Sequence, residues 1–346
     1  MLNSTTTPST KRRALRALLR PGAAAPFPGA FSPLSTRLIE EQGFPGVYIS
    51  GAVLANELGL PDIGLTTLTE VAARGAQIAR TTDLPCLIDA DTGFGEPMNV
   101  ARTIQELEDA GLAGCHIEDQ VNPKRCGHLD GKATVDTATA VQRIRAAVDA
   151  RRDPDFLVMA RTDLRAGAGL DAAIDRMRAL VDAGADAIFP EAMADLSEFE
   201  AVCRAVDVPV LANMTEFGKS PLYTREQLAQ TGVSLVIYPV TLLRTAMGAI
   251  ERVLQTIRVE GSQASRVDEM LTRARLYDLV DYESFSSFDA GIFDFEVPGR
   301  AGTDSAGAAD GTGAADSAGT AGSGDGSGNS SSTSGTKSTD EQRSES

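Results

Sequence analysis

Two aspartates, Asp89 and Asp91, stand two residues apart at the end of one apolar run, and Glu118 ends another. Residues i and i+2 of a strand share a face, so these carboxylates are presented together. Three hard oxygen donors with no His or Cys cluster beside them suit Mg2+, with Mn2+ as the alternative, better than Zn2+. Such an ion can polarise an α-hydroxy or α-keto acid; ordinary ion pairing to Arg161 or Lys124 is the competing reading. A second concentration of chemistry is the run Asn122-Pro123-Lys124-Arg125-Cys126-Gly127-His128-Leu129-Asp130-Gly131-Lys132. Two basic side chains beside Cys126 favour its thiolate, which makes it a candidate proton donor or acceptor. The chain has two histidines, His116 and His128, and both belong to this strand and loop.

What must position these groups is a series of short apolar runs: Pro26–Phe31, Gly46–Gly51, Cys86–Thr92, Gly114–Asp119, Phe156–Asp163, Ala187–Glu191, Val210–Thr215 and Leu235–Val240. Between them lie stretches with apolar residues at helical spacing, such as Leu68–Arg80, Val100–Ala110, Val135–Ala150 and Leu170–Asp182. Eight strands alternating with helices predict an α/β fold, a (β/α)8 TIM barrel. A doubly wound open sheet is the competitor, but no GxGxxG follows the first strand and no Walker motif is present. In a barrel the C-terminal strand ends build the site. Here those ends read Tyr48-Ile49-Ser50-Gly51, Asp89-Ala90-Asp91, His116-Ile117-Glu118-Asp119, Arg161-Thr162-Asp163, Glu191 and Asn213-Met214-Thr215. A ring of carboxylates repels itself unless something cationic is bound. The loop after the fourth strand, with Gly127 and Gly131 as joints, is placed to close over that mouth.

Two long helical patterns, Thr241–Val259 and Arg266–Tyr282, follow the eighth strand; one is expected to close the barrel and the other to be an extra helix exchanged between subunits. The expected domains are an N-terminal arm at 1–24, a barrel at 25–290 and a tail at 291–346. From Ala301 the composition is Gly, Ser, Ala, Thr and Asp, with seven acids against two bases, which reads as a disordered, solvating tail. The arm carries Lys11, Arg12, Arg13, Arg16 and Arg20, yet Ala14–Leu19 is too short and too charged for a signal segment. The expectation is therefore a loose arm on a cytoplasmic protein.

Among the 346 residues, 42% are hydrophobic and the net charge is −16. That charge argues against nucleic-acid and anionic-membrane partners. Only five of the 32 basic residues are lysine, a bias that fits either a GC-rich genome or a high-salt cytoplasm. Cys86, Cys115 and Cys203 read as small buried hydrophobes, whereas Cys126 has only polar, charged or glycine neighbours.

Lys124-Arg125-Cys126-Gly127-His128 resembles the KRCGH/KKCGH hallmark of the isocitrate lyase and phosphoenolpyruvate mutase superfamily. Tyr48–Gly51, Asp89–Gly95, His116–Gln120, Ala160–Asp163 and Asn213–Gly218 resemble its other blocks in the same order, over about residues 14–290. Within the superfamily Cys126 favours the lyases. The compact chain, the absence of tryptophan, and Phe189 with Ile237 where room is made for an extra methyl group resemble the methylisocitrate lyases. Ile237 replaces an expected leucine, and Ala52 stands where many members carry glycine.

The resemblance implies Mg2+-dependent cleavage of a tricarboxylate, 2-methylisocitrate, to pyruvate and succinate. It implies metal ligation by Asp89, Asp91 and Glu118, and catalysis by Cys126, Tyr48, His128 and Arg161. Ser50, Gly51, Ala52, Lys124, Gly127, Glu191, Asn213, Met214, Thr215 and Arg244 are the implied substrate contacts. A homotetramer is implied as well. Isocitrate cleavage to glyoxylate and succinate by a short homologue is the nearer alternative. A non-catalytic barrel whose acidic tail recruits partners is the more distant one.

Overall fold

A computed structural model describes residues 4–125, 127 and 131–294. The chain divides into Met1–Phe293 and Asp294–Ser346, and the tail expected from 301 onward lies outside the described residues. The helix Tyr282–Phe293 carries the folded part three residues past the expected boundary.

All eight expected strands are present: β1 Ala25–Pro28, β2 Val47–Ile49, β3 Cys86–Asp89, β4 Gly114–Glu118, β5 Leu157–Thr162, β6 Ala187–Pro190, β7 Leu211–Asn213 and β8 Leu235–Tyr238. Every pairing is parallel, in the orders β2-β3-β4-β5-β6 and β1-β8-β7. Single bridges Gly29–Tyr48 and Ile188–Val210 join the two arcs into a closed barrel. The alternation of each strand sorts the core into two shells. Phe27, Tyr48, Leu87, Met159, Phe189, Leu211, Leu235 and Ile237 fill the inside. Ile49, Ile88, Ile117, Val158, Ile188 and Val236 face the surrounding helices.

The helices begin where local chemistry stops the preceding loop. Thr67 and Glu70 form a capping box ahead of Leu68–Ala79, and Asp136 caps Thr137–Ala150 through the Thr139 amide, contacts each worth about 0.5–2 kcal/mol. Cys86 and Cys115 are fully buried, as expected; burial pushes the Cys86 thiol up to about 12, which makes it inert. Among the described residues no helix is long and apolar enough to cross a membrane.

Two expectations fail. The N-terminal arm is not loose: Pro8–Leu18 is a helix that plugs the lower end of the barrel, with Leu15 and Leu19 in the inner shell. Its basic residues bind the carbonyls of the loops that lead into β3, β4 and β5. Lys11 Nζ reaches Ala79 O at 2.8 Å and Thr82 O at 2.6 Å. Arg12 reaches Leu112 O at 3.1 Å and Glu108 O at 2.8 Å, and Arg16 reaches Asp155 O at 2.9 Å. Charges that resembled a targeting signal are thus internal fasteners.

The C-terminal helices also differ from expectation. Thr241–Glu260 is a helix ended by the left-handed Gly261, but Thr256 is its one buried residue, so it stands off the barrel rather than closing it. The second pattern breaks into a 3-10 turn at Ala264–Glu269 and helices at Arg273–Leu279 and Tyr282–Phe293. Thr272 starts the first of these by accepting from the Arg275 amide, and Asp281, in the left-handed region at φ 56°, separates them. Met247, Ile250, Leu254, Phe285, Phe288 and Ile292 are exposed along these helices.

Candidate active site

Strand alternation decides which side chains reach the upper mouth. On β2 to β7 the inward series is Tyr48 and Ser50; Asp89 and Asp91; His116 and Glu118; Arg161 and Asp163; Phe189 and Glu191; Asn213 and Thr215. Asp89 lies beside His116, Glu118 beside Arg161, and Arg161 beside Phe189 in the register. Tyr48 Oη is 2.7 Å from His116 Nε2, and His116 Nδ1 is 3.6 Å from Asp89 Oδ1. Burial pushes the imidazole down to about 4, so His116 is neutral and can accept from Tyr48 at Nε2. Burial, with the nearby Asp89 charge, raises the Tyr48 phenol well above its ordinary value.

Asp91 has φ 47°, a backbone state that Asp tolerates better than most residues and that directs its carboxylate toward that of Asp89. A Cβ placed on Gly51 would lie 2.9 Å from Asp89 Oδ2 and 3.0 Å from Asp91 Oδ1. Both carboxylates therefore face one point, and glycine keeps that point open. Gly51 N donates to Asp89 Oδ2 at 3.2 Å. Lys124 Nζ lies 2.7 Å from Asp91 Oδ1 and bonds Asp62 as well.

Burial favours the neutral Asp89, yet the positive charges around it, Lys124 and Arg161 among them, hold its carboxyl below the usual range. Burial and the Asp89 charge, against the pull of Lys124, leave Asp91 at about 6. Glu118 is raised well above the carboxylate range by burial, and neither of its oxygens has a hydrogen-bond partner among the described residues. Arg161 Nη1 lies 3.3 Å from it.

Among the described residues no closed cage of three metal-binding side chains exists. The donor set nevertheless fits a hard divalent ion: two carboxylates aimed at one open point, a third behind them without a donor, and no sulfur. Mg2+ is commonly held by one or two carboxylates with water and substrate completing the shell.

Arg161 is the central cation. It bonds Asp163 at 3.0 and 3.2 Å, approaches Glu191 Oε2 at 3.6 Å and lies 5.0 Å from the Phe189 ring. Beneath it Asp119 faces outward, holding the Asp163 amide at 3.0 Å and Arg176 at 2.7 Å. The loop covers this floor. Lys132 bonds Asp163 Oδ1 at 2.7 Å and also the Gly127 carbonyl. A Cβ on Gly127 would meet Arg161 Nη2 at 2.4 Å and Glu191 Cδ at 2.6 Å, so crowding rather than joint motion requires glycine there. The enclosed space is about 50 Å3, lined in part by Lys124, Arg125 and Gly127. Ordinary ligand sites span roughly 300–1,000 Å3, so the space between the described residues is small for a ligand site.

The expected site residues divide as follows. Tyr48, Ser50, Ala52, Asp89, Lys124, Gly127, Arg161, Glu191, Asn213 and Thr215 line one cavity, with Phe189. Gly51, Asp91 and Glu118 adjoin it through the contacts above. Met214 does not: it follows β7 directly, out of phase with Asn213 and Thr215, in the shell between strands and helices, where the alternation puts it. Arg244 is at the rim, bonded to Glu216 at 2.9 Å and Thr215 at 3.3 Å. Ile237 lies lower, in the inner shell with Phe189. Cys126 and His128 lie outside the described residues. His116, Lys132 and Asp163 stood in the sequence blocks but were given no role, and Asp62 was not named. Two-residue spacing from Glu118 and Arg161 was a usable signal for His116 and Asp163; Asp62 carried none.

The sequence pattern of the phosphoenolpyruvate phosphomutase family matches residues 15–258. A probable 2-methylisocitrate lyase from Corynebacterium glutamicum is 57% identical over 295 residues, covering 85% of this chain and 96% of that protein. A 2-methylisocitrate lyase from Escherichia coli is 45% identical, covering 79% and 93%. The crystal structure of a 2,3-dimethylmalate lyase, from the same superfamily, aligns with a TM-score of 0.77 at 35% identity, covering 85% of this chain and 99% of that one. A phosphonopyruvate hydrolase in complex with oxalate and Mg2+ aligns at 0.75 and 30% identity, covering 82% and 99%.

Proposed function

From the premise that this chain belongs to the phosphoenolpyruvate mutase/isocitrate lyase superfamily, we propose that it is a carbon–carbon lyase cleaving 2-methylisocitrate to pyruvate and succinate. The observation that carries the reading is the convergence of Tyr48, Asp89, Asp91, Arg161 and Glu191 beneath the loop that bears Cys126. Asp89 and Asp91, with Glu118 directly or through water, are the residues that would hold Mg2+. When bound, that ion supplies stabilisation of negative charge on the pyruvate half.

The remaining work falls to side chains. Tyr48 takes the proton of the substrate hydroxyl while passing its own to His116 Nε2. The carbon–carbon bond then breaks, and its electron pair stays on the carbon beside a carboxylate of the departing succinate. Cys126 protonates that carbon, general acid help worth roughly 10²–10⁴-fold. Arg161 holds a substrate carboxylate, oriented by Asp163 and Glu191. Ser50, Ala52, Asn213 and Thr215 complete the pocket, His128 and Lys124 come with the loop, and Arg244 meets the substrate from the rim. Closure of the loop keeps water from the carbanion.

The exposed apolar face of the C-terminal helices supports assembly with further copies of the chain, a tetramer by resemblance. The test of function is pyruvate release from 2-methylisocitrate against glyoxylate release from isocitrate, with Mg2+ and with EDTA. A metal-dependent preference for the methylated substrate is expected. Preference for isocitrate would overturn the role of Phe189. Turnover of neither would sink the lyase reading and favour a mutase-like activity or a non-catalytic barrel.

A further inference from the structure

Gln120 follows β4 by two residues and is almost wholly buried. Its carboxamide is engaged on both sides by one backbone unit: Nε2 donates to the Arg125 carbonyl at 2.9 Å, and Oε1 accepts from the Arg125 amide at 2.8 Å. A glutamine side chain here does what a neighbouring strand would do, satisfying donor and acceptor of a single residue. Gln120's own backbone bridges Thr134, while Val121 N donates to Ala133 O at 2.8 Å and Val135 N to Asp119 O at 2.8 Å.

One residue therefore ties together both feet of the loop and a point within it. The neck is braced from outside by two buried arginines. Arg143 donates to Gln120 O at 2.9 Å, and Arg176 to Val135 O at 2.9 Å. On the far side of Cys126, Lys132 binds the Gly127 carbonyl. The thiol-bearing residue is thus flanked by two residues whose backbones are held by side chains from elsewhere in the strand and loop.

We infer that Gln120 is a positioning residue of the reaction: it fixes the backbone of Arg125, the residue before Cys126 in the sequence, without touching the substrate. The inference rests on the role given to Cys126 above. A burial requirement alone does not account for the arrangement, because a buried amide needs partners but does not need both of them on the residue next to the thiol.

The test uses the full-length protein loaded with Mg2+. Gln120→Met keeps the length of the side chain and removes both bonds; Gln120→Glu keeps the acceptor and sets a carboxylate oxygen against the Arg125 carbonyl. A misplacement of about 1 Å costs roughly 10²-fold in rate, so kcat is expected to fall by about that factor in both variants while KM stays within about threefold. Alkylation of Cys126 by iodoacetamide, followed by peptide mass, is expected to change in rate and to lose its protection by succinate plus pyruvate. A role confined to stability predicts neither the kcat-selective loss nor the altered thiol.

The double variant Gln120→Met/Cys126→Ser separates the two claims. It should be no slower than Cys126→Ser alone, because residues acting as a unit are non-additive. Wild-type kcat in both Gln120 variants, or additive losses in the double variant, would overturn the positioning role. A wild-type rate in Cys126→Ser, by contrast, would overturn the thiol chemistry proposed above and not the clamp. Should Gln120→Met fail to fold, Gln120→Glu, with one bond intact, decides the question.

Discussion

The two ends of the barrel use basic residues in opposite ways. At the lower end Lys11, Arg12 and Arg16 point mainly at backbone carbonyls. At the upper end Lys124, Lys132 and Arg161 sit among Asp62, Asp89, Asp91, Glu118, Asp163 and Glu191. Below, the cations meet mostly backbone carbonyls, with one carboxylate each beside Arg12 and Arg16, and the result is a fastened plug. Above, carboxylates outnumber the cations among the described residues, and the surplus is relieved by protonation or by a further positive charge. Glu118 and Asp91, both raised by burial, mark where that relief is needed. A mouth with an anionic surplus repels a polycarboxylate unless protonation and a divalent ion together offset that surplus. One end is built to be complete and the other to be completed.

The largest expected effect comes from removing the central cation of the upper end. Arg161→Gln leaves Glu118, Asp163 and Glu191 without their shared partner. Breaking a buried ion pair from one side costs about 3–5 kcal/mol, and losing a fixed donor to a substrate carboxylate costs about 10²–10³-fold in kcat. Stability and turnover are therefore expected to fall together, read by chemical denaturation and by pyruvate release. A variant with normal stability and rate would show that Asp163 and Glu191 do not depend on Arg161.

The matching change at the lower end should separate those quantities. Leu15 is fully buried in the inner shell, and Leu15→Ala removes it from a site closed by the plug. A loss of about 2–5 kcal/mol is expected, with kcat unchanged wherever the variant remains folded. A fall in kcat disproportionate to unfolding would mean that the two ends are mechanically coupled, and the contrast drawn above would weaken.

The upper end was more legible in the sequence than the lower. Strand ends in a barrel carry chemistry, and period-two alternation says which residue of each end points inward. Asn213 and Thr215 follow that rule, as do Asp89 and Asp91. Met214 was placed in the pocket from a motif block and fails by the same rule, since it lies between two inward residues. His116 was visible as an inward neighbour of Glu118. Asp62 was not, because it sits in an irregular segment that only the fold brings to Lys124.

The lower end was misjudged for a physical reason. Most partners of Lys11, Arg12 and Arg16 are main-chain carbonyls, which leave no signature in side-chain sequence, and the two carboxylates they also meet, Asp153 and Asp186, lie far along the chain, so a basic segment looked solvent-facing. The C-terminal break did leave one: Thr272 is a helix-start residue inside what the apolar spacing alone read as a continuous helix.

The smallest expected effect lies at the outermost anchor of the plug and carries a definite sign with pH. The Asp83 carboxylate accepts from Ser4 Oγ at 2.6 Å, Thr5 N at 2.8 Å, Thr6 N at 2.9 Å and Thr5 Oγ1 at 3.0 Å. Led by the Ser4 bond, these donors hold its pKa well below the usual carboxylate range. A lowered folded value means that the ionised form is the one that favours folding. Its contribution is complete above the unfolded pKa of about 3.9 and drains away as the pH falls toward the folded value. Asp83 is largely solvent-facing, so screening keeps the effect small. Asp83→Asn is expected to lower Tm by about 2 °C at pH 7 and to leave kcat alone, with the difference from wild type shrinking as the pH drops below about 4. A Tm difference that stays constant to pH 2, or grows there, would show that the N-terminal segment is held by something other than this carboxylate, and that the lower end is fastened by the helix alone.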